Sequence, residues 1–228
     1  MRRPGYDPTL VREQFFLLAH DETRHMRPRL HLPALAAGLA GATVMDLLIA
    51  GRVAVASGAV HPDRFQRDLT GDPVTDDALA LILQVVPAPP LPELIRTVAP
   101  GVYERTAAAL IHKGVLVQGP PRRWRRGRGY EIADEGIVVR IRAKAGYRIA
   151  GRDAPSPGAD CLCALVAALG LHRALMRGER AEVDPLLQRV VREMAESGRR
   201  ARHPVGGAPA VAAAVLGVVQ DLATSAMT

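Results

Sequence analysis

Aromatic residues are scarce in this chain of 228 residues, which has one Trp, four Tyr and three Phe, or 4% of the total. That scarcity excludes a core built mainly from large rings. Hydrophobic residues still make up 48% of the sequence, which is ample material for a buried interior. We expect this interior to be packed from Leu, Val and Ala.

Cysteine is almost absent as well. Cys161 and Cys163 are the only two, and they are too close together for an ordinary structural disulfide and too few for a zinc site. Residues 1–10 contain no apolar segment of the kind found in a signal peptide. These features predict a reducing, cytoplasmic location.

The motifs of common enzymes are missing. The sequence has no Gly-x-Ser-x-Gly elbow, no His-Glu-x-x-His helix and no phosphate-binding loop. His20, His25 and His31 flank a turn without the spacing of a helical metal site, so we expect an exposed cluster. Helix capping explains the acidic segment 72–77 better than a bound cation does. We therefore predict no catalytic residue, no metal and no cofactor.

Lysine is scarce too, because Lys113 and Lys144 are the only two in a chain with 30 basic residues. The formal charge of +7 is therefore carried almost entirely by Arg. A strongly basic chain favours an anionic partner, either nucleic acid or a membrane surface. The alternative is a solvated Arg-rich surface that reflects codon bias in a GC-rich genome.

The longest apolar segment, residues 32–50, predicts a helix with no polar face and Gly51 at its C-terminal end. A helix that is apolar all round is buried on all sides. Its length is close to that of a membrane span, but a carboxylate at Asp46 costs about 2.5–3.5 kcal/mol in a bilayer. We therefore predict the central helix of a folded core, and a structural pairing of Asp46 with Arg52 or Arg105.

Other segments surround this helix in the sequence. Residues 9–20 have an apolar second half that fits a helix end or a short buried strand, and residues 137–149 fit either helical or strand periodicity. A cap at residues 75–77 and the pair Asp184-Pro185 predict two helix starts. The predicted helices cover residues 78–86, 92–98, 102–113, 159–176, 184–197 and 210–226, with short strands at 53–56, 115–117 and 130–132.

Residues 119–130 differ sharply from the rest of the chain and predict the tip of a basic hairpin. The cationic and aromatic residues in this tip are Arg122, Arg123, Trp124, Arg125, Arg126 and Arg128. Guanidinium groups donate paired hydrogen bonds to phosphate, and Trp prefers the membrane–water interface. The tip is therefore a candidate anchor for anionic phospholipid head groups. Alternatives are a merely charged loop, or the wing of a winged helix that contacts nucleic acid.

Three short motifs occur in a characteristic order. They are Phe-Leu-Leu-Ala-His-Asp at residues 16–21, Asp-Leu-Leu-Ile-Ala-Gly-Arg-Val at 46–53, and Glu-Arg at 104–105 leading to His-Lys-Gly-Val-Leu at 112–116. In this order the sequence resembles the Golgi phosphoprotein 3 family over most of its length. The resemblance implies a mainly α fold, in which amphipathic helices surround a central hydrophobic helix and a β-hairpin protrudes. It also favours a helix at 137–149.

The resemblance further implies a non-enzymatic peripheral membrane protein. Eukaryotic members bind phosphatidylinositol 4-phosphate and retain glycosyltransferases, and the family's hairpin contributes to self-association. The residues that match the eukaryotic head-group pocket are His31, Ala40, Pro100 and Tyr103, and none keeps the eukaryotic Trp or Arg. Nearby candidates for a head-group pocket are Arg27, Arg29, His31, Arg96, Tyr103 and Arg105.

We therefore expect one domain over residues 9–228, preceded by a flexible segment, residues 1–8. Its predicted activity is reversible binding to anionic phospholipid at a membrane from the cytoplasmic side. A homo-oligomer and a membrane-protein client are the further partners that the resemblance implies.

Overall fold

The computed structural model describes residues 8–63, 66, 68–121, 128–176, 179–200 and 205–225. The predicted flexible N-terminus lies outside this part of the chain except for Pro8, which is buried. The described helices are α1 (Val11–Leu18), α2 (Leu32–Ile49), α3 (Pro73–Gln84), α4 (Leu91–Val98), α5 (Val102–His112), α6 (Gly136–Ile149), α7 (Pro157–Ala168), α8 (His172–Leu175), α9 (Arg180–Arg200) and α10 (Ala208–Ser225). The strands are β1 (His20–Asp21), β2 (Arg27–Pro28), β3 (Val53–Ala56), β4 (Ala59–Pro62), β5 (Leu116–Pro121) and β6 (Arg128–Ile132). The mainly α fold predicted from the sequence is confirmed.

The central helix of the fold is α2, because its apolar residues leave no face for water. It packs against α1, α3, α4, α5, α7 and α10, and Leu35, Leu39 and Leu47 are completely buried. Both α2 and α10 are long and apolar enough to cross a membrane, but 72% of α2 is buried inside the protein, against 28% of α10. The predicted core helix is therefore confirmed, and Gly51 ends it with a positive φ of 67°.

Two glycines of α2 let its neighbours approach closely. A Cβ atom at Gly38 would lie 2.7 Å from the ring of Phe15 in α1, and one at Gly41 would lie 2.3 Å from Cγ2 of Val215 in α10. Distances this short are far inside van der Waals contact. These two small residues of α2 are therefore contact points where α1 and α10 pack closely against the central helix.

Several of the surrounding helices bury a single stripe, whereas every residue of α1 is buried. In α4 the buried residues are Leu91, Leu94, Ile95 and Val98, which follow the i, i+3, i+4, i+7 spacing of an amphipathic helix. Residues 137–149 lie in α6, so the helical alternative is correct for this segment. Its buried residues Ile137, Ile141 and Ala145 follow the helical period. Val139, which belongs to the strand period, is exposed.

The three sheets in the described part of the chain are antiparallel two-stranded ribbons. Strands β3 and β4 pair from Val53↔Pro62 to Ala56↔Ala59, and β1 pairs with β2. Strands β5 and β6 form the predicted hairpin, with Leu116 opposite Ile132 and Gln118 opposite Tyr130. Both predicted hairpin arms are therefore confirmed.

Three helix boundaries were predicted wrongly. Helix α3 begins at Pro73 and is capped by Asp72, whose Oδ1 accepts the backbone N–H of Thr75 at 3.0 Å. The N-cap is therefore Asp72 and not a residue of the predicted cap 75–77. Pro73 lies in the first turn, where no intrahelical partner for its missing N–H is needed. Helix α7 ends at Ala168, because Gly170 has a φ of 66° and leads into the short α8.

The third error concerns the start of α9. This helix begins at Arg180, and Pro185 lies inside it rather than at its first position. A proline this close to the N-terminus removes only one intrahelical hydrogen bond. An ion pair from Arg180 to Asp184 one turn later supports the first turn, so Asp184 is a helical partner instead of a cap.

Candidate functional surface

The predicted lipid anchor belongs to the sequence that joins β5 and β6. Its residues Arg122, Arg123, Trp124, Arg125 and Arg126 lie outside the described residues, and the side chain of Arg128 does too. Their role in anchoring stays a prediction. The structure does describe the two arms that carry this sequence and the surface beside them.

The base of the hairpin is held by a cluster of rings. Tyr130 of β6 lies edge-on to Phe16 of α1, with ring centroids 6.4 Å apart, and 6.5 Å from Tyr103 of α5. The Phe16 ring stacks on His20 at 4.3 Å. Three of the chain's few Phe and Tyr rings, together with the His20 imidazole, thus connect α1, α5 and the hairpin, so β6 is fixed to the helical body.

His20 is completely buried in this cluster, so the prediction of an exposed His20–His25–His31 cluster is wrong for His20. Its Nδ1 lies 2.6 Å from the carbonyl oxygen of Phe16 and donates to it, and its Nε2 lies 3.2 Å from the hydroxyl of Tyr103. Burial lowers the pKa of His20 from 6.5 to about 4. The imidazole is therefore neutral near pH 7. By contrast, His25 and His31 are exposed.

A second basic segment, the loop of residues 24–29, lies against the hairpin. Nδ1 of His25 is 3.5 Å from Oε1 of Glu131 in β6. Arg27 is exposed, and its guanidinium has no carboxylate partner in the part of the chain that is described. The contact of His25 with Glu131 brings the loop that carries Arg27 against β6, the arm that is continuous in sequence with the Arg-rich segment.

Arg29 in the same loop is held by its own domain. Its Nε donates to the carbonyl oxygen of His20 at 3.0 Å, and its Nη2 lies 3.7 Å from Asp21 and 3.6 Å from Glu22. Glu22 is also paired with Arg142 of α6. Arg29 thus stabilises the loop and offers less of its charge to a ligand than Arg27 does.

Three of the predicted pocket residues come together in one groove. Its volume is about 640 Å³, and it is lined by Arg27, Pro28, Arg29, Leu30, His31, Leu32, Ala34 and Val219. It follows the entry into α2 and ends at α10. Leu32 is 56% exposed there, so an apolar side chain stands beside the cations.

The other predicted pocket residues are not in this groove. Arg96 lines a separate cavity beside the first turns of α2, where it pairs with Asp221 of α10. Tyr103 belongs to the aromatic cluster, where burial raises the pKa of its hydroxyl well above its usual value. Arg105 is exposed on α5 and lines neither cavity. The six residues therefore do not form one pocket.

A buried ionic network joins α1 to the central helix. The side chain of Asp46 accepts the backbone N–H of Val11 at 2.7 Å and that of Arg12 at 3.2 Å, so it caps the start of α1. The predicted pairing of Asp46 with Arg52 or Arg105 is wrong, because Arg52 donates to Gln66 instead and Arg105 is exposed. Burial raises the pKa of Asp46 from 3.8 to about 7, although the nearby Arg12 opposes that rise.

Sequence reasoning missed the remaining members of this network. Arg12 and Glu13 are completely buried, with Nη2 of Arg12 2.8 Å from Oδ1 of Asp72 and Nζ of Lys113 2.6 Å from Oε1 of Glu13. The available signal was the apolar run that follows them, since a short helix with four consecutive buried apolar residues is buried all round. The network is mostly buried, with Lys113 24% exposed at its edge, and it ties α1 to α3 and α5, which is a structural role.

The described residues offer few candidates for metal ligands or for reactive cysteines. Among the described residues, no group of three or more His, Cys, Asp or Glu is placed to hold a metal ion. Cys161 and Cys163 are free thiols buried in α7, and burial raises the pKa of both. Thiols held neutral and away from solvent are poor nucleophiles.

These observations define a class: a helical protein built around one buried apolar helix, with a hairpin fixed to its body and cations on an adjoining loop. The sequence profile of Golgi phosphoprotein 3 (GPP34) matches residues 11–221, so the chain belongs to that family. Membership suggests a function like that of Golgi phosphoprotein 3, and the family is not known for enzymatic activity. No curated protein sequence matches the chain.

Proposed function

We propose that this protein is a non-enzymatic peripheral membrane protein that binds anionic phospholipid through a basic face. The face runs from the Arg-rich hairpin across the loop of residues 24–29 to the groove at the start of α2. The contact between His25 and Glu131 supports the proposal, because it brings the basic loop against β6, the hairpin arm that is continuous in sequence with the Arg-rich segment. Its location would be cytoplasmic and peripheral to the membrane.

The charges of this face would give weak, reversible binding to an anionic membrane. Each cation near an anionic leaflet contributes about 1 kcal/mol. If three to five of Arg27 and the hairpin arginines engage, the total is roughly 3–5 kcal/mol, or about a hundredfold to several-thousandfold in affinity. Because exposed charges are screened by salt, binding weakens as ionic strength rises.

Apolar side chains at the same face would add to this attraction. Leu32 is 56% exposed beside the basic groove, and Trp124 stands among the hairpin arginines in the sequence. Side chains of these two types partition favourably into the interfacial region of a bilayer. A face with both cations and isolated apolar residues favours a lipid surface over a purely ionic partner.

Family resemblance suggests phosphatidylinositol 4-phosphate as the head group, whereas the described residues support recognition of charge. Of the positions that match the eukaryotic pocket, Ala40 is completely buried and Tyr103 is engaged with His20. We therefore propose binding to anionic lipid in general, with the phosphoinositide as one ligand of that class. A membrane-protein client and a homo-oligomer remain proposals on the same basis.

Vesicle flotation tests the proposal. The protein is mixed with vesicles of phosphatidylcholine alone, with added phosphatidylserine, or with phosphatidylinositol 4-phosphate at matched charge. We expect recovery on both anionic vesicles and little on the neutral ones. The variant Arg123→Glu with Arg125→Glu should lose at least tenfold in affinity. A matched control, Arg152→Glu with Arg192→Glu, changes charge equally at exposed positions elsewhere and should lose much less.

Equal recovery on neutral and anionic vesicles would overturn the proposal, and so would equal losses in the two double variants. The rival is a winged helix, since α4, a short turn, α5 and the hairpin follow each other in the required order. The exposed residues of α5 include Glu104, Arg105 and Ala108, which offer little to read base edges. Tight, strongly salt-dependent DNA binding without any vesicle preference would favour this rival.

A further inference from the structure

A second cavity lies between the first turns of α2, the turn between α4 and α5, and the last turns of α10. Its volume is about 530 Å³, which is within the range of small-molecule sites. Pro33, Ala36, Pro100, Val218 and Leu222 give it mainly apolar walls. Ala36 is half-buried and Leu222 is 41% exposed, so the cavity is open to the surface at one side.

One cation stands among these walls. Arg96 of α4 lines the cavity, and its Nη2 is paired with Oδ2 of Asp221, which α10 contributes from the opposite wall. The side chains are 52% and 65% exposed, respectively. Exposed ion pairs are weak, because water and salt compete with both partners. The carboxylate of Asp221 therefore holds a position that another anion can take at little cost.

We propose that this cavity takes an acyl chain of an anionic phospholipid, and that the lipid phosphate displaces Asp221 from Arg96. Apolar walls with a single cation at the edge are complementary to an amphiphile that carries one negative group next to a hydrocarbon chain. Asp221 occupies the phosphate position when no membrane is present, so the last turns of α10 restrain lipid binding. This inference rests on the proposed function and adds a lipid subsite and its regulation to it.

The two grooves beside α2 support a phospholipid as the occupant. Val218 lines the second cavity and the adjacent Val219 lines the basic groove, so both open next to the same segment of α10. Leu32 at the start of α2 and Leu222 in α10 are exposed beside these cavities, Leu32 at the basic groove and Leu222 at the second cavity. A bilayer that meets the basic groove would therefore present its lipids to the second cavity as well.

The test compares two exposed carboxylates that each pair with an arginine. Asp221→Asn frees Arg96, and Asp184→Asn makes the same charge change at the exposed pair with Arg180. With vesicles of phosphatidylcholine and phosphatidylserine, we expect Asp221→Asn to bind about two- to fivefold more tightly than Asp184→Asn. In an Arg96→Gln background, Asp221→Asn should change nothing.

A second pair of variants tests the cavity itself. Ala36→Phe fills it, whereas Ala213→Phe adds the same ring at an exposed position of α10. The readout is the emission of phosphatidylserine with a pyrene-labelled acyl chain, which changes when the chain leaves the bilayer. We expect Ala36→Phe to lose this change and Ala213→Phe to keep it, with both variants melting cooperatively.

The outcomes separate the two proposals. If wild-type protein prefers anionic vesicles but Asp221→Asn matches Asp184→Asn, or the two Phe variants behave alike, the acyl subsite is overturned and the proposed function stands. A gain from Asp221→Asn that persists without Arg96 also overturns it, since general charge would then explain the gain. No preference for anionic vesicles in the wild-type protein overturns the proposed function and this inference together.

Discussion

Asp46 and His20 are both buried in the folded protein with pKa values displaced in opposite directions. Burial raises the pKa of the Asp46 carboxyl from 3.8 to about 7 and lowers that of the His20 imidazole from 6.5 to about 4. Around pH 5.5 the folded state therefore keeps a proton on Asp46 and none on His20. The unfolded chain does the reverse.

We predict that these two groups nearly cancel in the pH dependence of stability. Asp46 contributes stability that is fully present below pH 3.8 and is lost as pH rises towards 7. His20 contributes stability that is present above pH 6.5 and is lost as pH falls towards 4. Each slope is at most about 1.4 kcal/mol per pH unit, with opposite signs. Urea unfolding between pH 4.5 and 6.5 measures the sum.

Single variants should reveal the separate slopes. Relative to wild type, Asp46→Asn should gain stability with rising pH across this range, and His20→Gln should lose it. Asp77→Asn, at an exposed position of α3, is the control and should follow the wild-type curve. If the curves of Asp46→Asn and His20→Gln run parallel to the wild-type curve, the assigned charge states are incorrect.

A second prediction concerns the cap that α2 gives to α1. Asp46→Ala leaves the N–H groups of Val11 and Arg12 without their acceptor in the core, and each such group costs about 1–3 kcal/mol. Asp46→Asn keeps an acceptor oxygen and should cost less. Chemical denaturation at pH 6 compares the two variants, and equal losses would show that the hydrogen bonds to α1 contribute nothing to stability.

The buried guanidinium gives a third prediction. Arg12→Met removes the closer cationic partner of Asp72 and should destabilise the protein by about 3–5 kcal/mol, because the buried carboxylate then keeps only the longer of these cationic contacts, with Lys113 at 3.6 Å. Arg180→Met breaks the exposed pair with Asp184 and should cost no more than about 1 kcal/mol. Thermal melting distinguishes them. Similar losses from both substitutions would mean that burial adds nothing to the ion pair of Arg12.

A fourth prediction is that replacing a glycine by alanine lowers stability in α2 and raises it in α6. Gly41→Ala places a methyl group against Val215 and should destabilise by about 1–3 kcal/mol, because α2 and α10 must separate. Gly146→Ala, in α6, meets no atom within 4 Å and should stabilise by about 0.5–1 kcal/mol. Differential scanning calorimetry measures both. A stabilising Gly41→Ala would contradict the close approach of the two helices.

The central helix and the hairpin could be predicted because their signals are local. An apolar segment without a polar face has one stable environment, and the strand residues around 115–117 and 130–132 alternate on either side of a turn sequence. Periodicity alone left 137–149 ambiguous, since Ile137, Ile141 and Ala145 fit one repeat while Val139 fits the other. Packing resolves it: Val139 is 61% exposed, and the helical set is buried.

Long-range partners could not be predicted from single residues. Nothing local indicates that Asp46 caps a helix 34 residues earlier, or that Arg12 is buried with Asp72. The six candidate pocket residues do not meet for the same reason. Arg27, Arg29 and His31 lie within five residues and line one groove, whereas Arg96, Tyr103 and Arg105 are distributed over two helices. The start of α9 was predicted wrongly because proline is common at the first position of a helix, whereas Pro185 lies inside the helix, about one turn after its start.

The rings at the base of the hairpin determine how the protein would stand on a bilayer. Tyr130 joins β6 to Phe16 and Tyr103, and Glu131 joins it to His25. Because these contacts hold β6 against the helical body, membrane binding through the hairpin would set the orientation of the whole protein. If the protein binds a membrane-protein client, its binding surface would then lie at a fixed distance from the bilayer and at a fixed angle to it. A flexibly attached domain would not have this fixed orientation.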